Sequence, residues 1–193
     1  MSYNLSLSKA WAELDVIAKQ KSFPVRFLSQ EYKIDLDKRD VFTSPSLASL
    51  HHQHSILILH YIIRKLKGLA PIAGEWVSFK EMDGGMPYYP AFKKRTIDVI
   101  LKEYGTKPEF LLEVSRRFKS EKVELADASI VLEVFEGVPV LITLWRGDEE
   151  FSPEVNMLFD KSIKEIFCSE DIAVLSGIVA VTLVKAGVET RVN

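Results

Sequence analysis

The chain has 193 residues, 47% of them hydrophobic and 27% charged, with a formal net charge of −2. A chain of this length buries roughly 70% of the surface its unfolded form exposes, so it can fold without disulfides or metal. Near-neutral charge removes the electrostatic footprint of a nucleic-acid or anionic-membrane protein, and one cysteine, Cys168, excludes an intrachain disulfide and any iron–sulfur cluster held by this chain's thiolates alone.

The first segment, LSKAWAELDVIAKQ, puts Leu7, Trp11, Leu14 and Ile17 or Ala18 on one face of a helix that ends near Pro24. The N-terminal MSYNLSLSKAWAEL has no basic region followed by an apolar core, so no signal peptide is expected. In EYKIDLDKRDVF, Tyr32, Ile34 and Leu36 alternate with Lys33, Asp35 and Asp37, the period of a strand with one wet face. TSPS at 43–46 offers cap chemistry for a long helix over about 46–67, closed by Gly68.

All four histidines fall on that helix, as HHQH at 51–54 and His60. At 100° per residue His51 and His54 lie about 60° apart, while His60 points away from His51, so one helix cannot gather three of them. A His51/His54 pair could bind metal only with ligands from elsewhere, and no HExxH or Cys/His spacing supports that. His60 shares a polar stripe with Gln53, Arg64 and Lys67 on an otherwise apolar helix. The stripe is either a solvated face or the wall of a pocket where His60 and Arg64 meet an anionic ligand or a carboxylate.

GEWVSFKEMDGGMPYYPAF gathers aromatic side chains around Gly84-Gly85, and Ser78-x-x-Glu81 predicts a capped helical turn at 79–82. Trp76, Phe79, Tyr89 and Phe92 can stack a flat ligand over the paired glycines, or pin the loop to the core. The spacing is no phosphate-binding fingerprint. Helices are expected over about 90–104, with Pro90 in the first turn and Gly105 at the end, and over about 108–118. SIVLEVFEGVPVLITLWRGD reads as a hairpin turning at Glu136-Gly137, followed by a third strand at VNMLFD. Between them Trp145, Asp148, Glu149 and Glu150 form an acidic strand end that can bind a cation, serve as acid and base with His60, or keep a sheet edge soluble. Ser169 is expected to cap a last, deeply buried helix, whose apolar run at 172–184 is too short to span a bilayer. Cys168, beside that helix start, has no partner nearby in sequence.

These elements predict an α+β fold: one domain over 1–193, with a small antiparallel sheet carrying a C-terminal hairpin, packed against several helices, two of them largely buried. Lone-thiol composition predicts a cytoplasmic protein.

Two stretches, ILHYIIRKLKGLAPIAGEWVSFKEMDGGMPYYPAFKKR and VPVLITLWRGDEEFSPEVNMLFDKSIKEIFCSEDIAVL, carry the paired motifs GEWxSFxE…GG…Y…AF and LWxGDEEFxPExNxLFD. With them, residues 55–185 resemble a prokaryotic family catalogued as a domain of unknown function, found mainly in anaerobes and in some members fused to iron–sulfur segments. The resemblance places HHQH outside the matched stretch and His60 inside it. It implies no activity. It suggests an accessory protein that binds a small molecule or a cofactor of unknown identity, or that works beside an iron–sulfur or other cofactor protein. An enzyme using His60 with Asp148–Glu150 and a protein-interaction module are the alternatives.

Overall fold

The computed structural model describes residues 3–192. Helix α1 (Tyr3–Ile17) buries Ala10, Trp11 and Leu14. Strands β1 (Ser22–Phe27), β2 (Gln30–Asp35) and β3 (Asp40–Thr43) follow as an antiparallel three-stranded sheet in chain order. Pro24, read from sequence as a helix stop, lies within β1, where an edge strand tolerates the missing N–H.

Helix α2 runs over His52–Lys67, starting six residues later than TSPS suggests. Residues 43–50 instead fold back on β3: Leu47 N–H donates to Thr43 O (2.8 Å), Thr43 N–H to Ala48 O (3.0 Å), and Ser49 Oγ to Asp40 Oδ2 (2.7 Å). The polar residues that looked like a cap satisfy this turn. His51 caps α2, its Nδ1 accepting from Gln53 N–H at 3.5 Å, so His51 is not a helical position. Helix α2 buries Ser55–Leu59 and Tyr61–Ile63, and Gly68 ends it with φ of 102°.

Strand β4 (Trp76–Ser78) leads into a single 3-10 turn over Phe79–Glu81. The expected capping box is present, Glu81 accepting from Ser78 N–H at 2.7 Å. Ser78→Ala should remove about 1 kcal/mol and lower the melting temperature by about 2–4 °C, read by thermal unfolding at neutral pH.

The helix expected over 90–104 is two helices, α3 (Gly85–Arg95) and α4 (Ile97–Tyr104). They break at Thr96, fully buried, whose Oγ1 donates to Phe92 O at 2.7 Å. A threonine bonding back to the preceding turn bends a helix. Pro90 therefore sits inside α3 rather than at a first turn. Helix α5 (Pro108–Ser115) is shorter than expected and does start on its proline.

Strands β5 (Ser120–Lys122), β6 (Ala128–Phe135), β7 (Val138–Trp145) and β8 (Glu154–Asp160) join β4 in a five-stranded antiparallel sheet ordered β4-β8-β7-β6-β5. The hairpin turns at Glu136-Gly137, with Gly137 at φ 76°. The fold is α+β, with two antiparallel sheets where one was expected. One hydrophobic core joins them. Phe27 of β1 and Tyr61 of α2 both stack on Phe135 of β6, at 4.4 and 4.3 Å between ring centres.

Helices α4 and α5 pack on the larger sheet, and α6 (Ser169–Val192) packs against α2, α3, α4 and α5. By length and composition α6 could cross a membrane, which the shorter apolar run at 172–184 did not suggest. Only half of its most apolar window is buried in this fold, so the helix expected to be deeply buried keeps one face open. Its N-terminus meets the middle of α2 and the 79–84 turn, and that meeting builds the site.

Candidate functional site

The polar stripe of α2 divides between two neighbours, with Arg64 and Lys67 still exposed. Gln53 Nε2 donates to Tyr3 Oη (2.6 Å) and Lys67 Nζ to Glu13 Oε1 (2.5 Å), both across to α1. His60 instead reaches α6, where its Nδ1 lies 2.8 Å from Asp171 Oδ2, 111 residues away in sequence. The same carboxylate oxygen accepts a hydrogen bond from Cys168 Sγ at 3.2 Å. Asp171 is 7% exposed, whereas Cys168 is open to solvent.

Cys168, not Ser169, caps α6. Its carbonyl accepts the first helical bond, from Ile172 N–H at 3.0 Å, and its side chain reaches the third helical residue. Ser169 Oγ donates to Asp83 O at 2.5 Å, so the serine ties α6 to the 79–84 turn.

Burial works against a charge on His60, but the hydrogen bond and charge of Asp171, helped by Glu13, outweigh it and hold the imidazole above its ordinary value. Burial and the charge of Asp171 push the Cys168 thiol up. The thiol therefore rests as an S–H donor. In a nucleophile–base–carboxylate relay the imidazole stands between the other two groups. Here the carboxylate stands between them, an arrangement that fixes all three side chains and does not activate the sulfur.

The trio lines a cavity of about 450 Å³. Glu13, Arg64, Asp83 and Lys164 add charge of both signs to its wall, and Ile63, Met82, Ile166, Phe167 and Ile172 supply an apolar lining. Lys164 Nζ donates to Glu81 O at 2.9 Å. Arg64 makes no hydrogen bond or ion pair among the described residues, although Glu13 feels its charge. Pairing of His60 with Asp171 was hidden in the sequence by its range. The i, i+3 spacing of Cys168 and Asp171 was the only local signal.

The other predicted residues fall elsewhere. Phe79 and Phe92 are buried and stacked at 4.1 Å, Tyr89 stacks on Phe92 at 5.9 Å, and Lys80 lies over Tyr89 at 4.4 Å. The aromatics thus pin their loop to the core. Trp76 is half-buried in β4 opposite Asp160, and Trp145 ends β7 partly exposed. Gly84, at φ 68°, and Gly85 open α3.

Asp148, Glu149 and Glu150 line a separate concavity with Gly105, Arg146 and Pro153. Asp148 Oδ1 accepts from Glu150 N–H (2.9 Å) and Phe151 N–H (2.7 Å), and these bonds hold its carboxyl below the usual range. The acidic loop is organised by its own backbone. It shares no lining residue with the His60 cavity, where His60 bonds to a different carboxylate. That carboxylate is Asp171.

His51 and His54 rings lie 6.4 Å apart, and burial together with the charge of His51 lowers the His54 pKa. Among the described residues no group of three His, Cys, Asp or Glu side chains is placed to hold a metal ion. A third and larger concavity, about 1220 Å³, runs along α6 and meets the His60 cavity at Ser169.

No curated protein and no solved structure matches the chain. A family model does, over residues 7–182, which takes in most of α1, HHQH, His60, Cys168 and Asp171 and so extends well N-terminal to the stretch suggested by the motifs. The chain belongs to the family described as a domain of unknown function (DUF3786).

Proposed function

We propose that the protein is a non-catalytic cytoplasmic accessory protein that binds a small anionic molecule in the cavity between α2, the 79–84 turn and the start of α6. The observation that carries this reading is the Arg64 guanidinium beside the His60–Asp171 contact, in a lining that also holds Lys164 and the carboxylates of Glu13 and Asp83. Asp171 holds His60 in place and favours its charged form, while Arg64, beside it, pairs with no carboxylate among the described residues. A guanidinium and an imidazolium on one wall, with Lys164 in the same lining and Ile63, Met82, Ile166, Phe167 and Ile172 behind them, suit a carboxylate or phosphate group. A cavity of about 450 Å³ suits a small metabolite. A role beside iron–sulfur or other cofactor proteins of anaerobic prokaryotes rests on the motif resemblance.

The test is anaerobic purification followed by native mass spectrometry, then titration calorimetry against a panel of small carboxylates and phosphates. A ligand that co-purifies or binds should lose at least tenfold in affinity in Arg64→Ala, about 1.4 kcal/mol, because a charge-assisted hydrogen bond is removed. Affinity should also fall as pH rises through the raised pKa of His60. A ligand-free protein that binds no member of the panel, or one whose binding ignores Arg64, would overturn the reading.

A further inference from the structure

Helix α6 is apolar almost all round, yet only half of its most apolar window is covered. Its open face, with Val174, Gly177, Ile178 and Val181, floors the groove of about 1220 Å³, and Ala91 of α3 and Val99 of α4 form part of one wall. From Ser169 to Lys185 the floor follows α6 for roughly 24 Å at 1.5 Å per residue. That length, and a volume above the roughly 300–1,000 Å³ of small-molecule pockets, fit a helix better than a metabolite. Small residues on the floor let another backbone come close: a Cβ built on Gly177 meets nothing within 4 Å.

The rim is basic. Lys94, Arg95 and Lys185 line the groove, with Glu170 as the acid at its α6 N-terminal end. Arg95 donates to Tyr88 Oη at 2.9 Å, and the neighbouring Asp98 is paired with Lys93. None of the three rim cations pairs with a carboxylate among the described residues. Three cations against one acid on this rim favour an acidic partner over a second copy, which would bring the same net positive rim with it.

We infer that the α6 groove is a docking site for an amphipathic helix of a partner protein, with apolar residues at i, i+3, i+4 and i+7 and acidic residues on its flanks. This surface is distinct from the His60 cavity, and the two readings fail separately.

The experiment is a displayed library of 18-residue helices with those apolar and flanking positions randomised, selected on the full chain and measured by fluorescence anisotropy. Enriched helices should be acidic. They should bind at least tenfold more weakly to Lys94→Glu/Lys185→Glu. They should also lose at least tenfold on Gly177→Leu, which fills the groove while keeping or raising the melting temperature, since glycine is a poor helix former. Basic or uncharged winners, or winners indifferent to Gly177→Leu, would overturn the proposal. So would competition by laurate, which would make the groove a site for an anionic amphiphile, or a dimer in sedimentation that Gly177→Leu dissolves.

Discussion

An Asp171→Ala protein should be less stable than the wild type by about 2–3 kcal/mol near pH 6, and its His60 should titrate below the wild-type value. Removing one partner of a buried pair typically costs about 3–5 kcal/mol. The lower figure applies because the His60 side chain is 32% exposed and can shed its proton to water. Cys168 would lose its acceptor as well.

The sign of the pH dependence follows from the direction of the His60 shift. The folded-state pKa is raised, so the stabilisation from this contact is complete below the unfolded value, about 6.5, and is lost as pH rises through the folded value. Urea unfolding at pH 6 and pH 9 should therefore show a wild-type advantage over Asp171→Ala that shrinks at the higher pH, with His60 followed by NMR titration. An unchanged His60 pKa in the variant would show that the carboxylate does not control the imidazole. Asp171→Asn separates the effects, since the amide can keep a hydrogen bond but brings no charge.

What the sequence discloses divides by range. The hairpin at Glu136-Gly137, the capping box at Ser78 and Glu81, and the last helix rest on contacts a few residues apart, and each is legible. Strand β1 was hidden because Pro24 reads as a breaker, and only its place at a sheet edge makes it harmless. The break at Thr96 was hidden because a buried threonine hydroxyl chose the Phe92 carbonyl, a decision made by packing.

Chemistry follows the same division. Three acids following a strand admit cation binding, acid–base work or a soluble sheet edge, and in the fold the Asp148 carboxylate closes its own turn. His60 was singled out as a polar residue on an apolar helix. Its partner could not be found without the fold, because α2 and α6 meet only through tertiary packing. A cysteine that has no partner nearby in sequence is one hydrogen bond from the carboxylate that meets His60.

The paired glycines that open α3 carry the second large effect. Gly85→Ala should destabilise the fold by about 3 kcal/mol, and Gly84→Ala by about 1–2 kcal/mol. At Gly85 a Cβ would stand 1.9 Å from Phe79 O and 3.1 Å from Phe79 C, both backbone atoms of the 3-10 turn, so the turn or α3 must move. That movement would pull at the stack of Phe79 on Phe92. Gly84 faces open space and is constrained only by φ of 68°, where an added Cβ meets its own backbone.

Gly177→Ala is the control: it has open space and ordinary helical backbone, and should be neutral or stabilising by up to about 1 kcal/mol. Chemical unfolding of the three variants would thus separate collision, backbone strain and helix propensity. Equal losses at Gly84 and Gly85 would mean that close approach of α3 to the Phe79 carbonyl is not what requires the second glycine. The same turn presents Met82 and Asp83 to the His60 cavity, and Asp83 O accepts from Ser169. Gly85→Ala should therefore also weaken any ligand bound there, whereas Gly177→Ala should leave that binding unchanged.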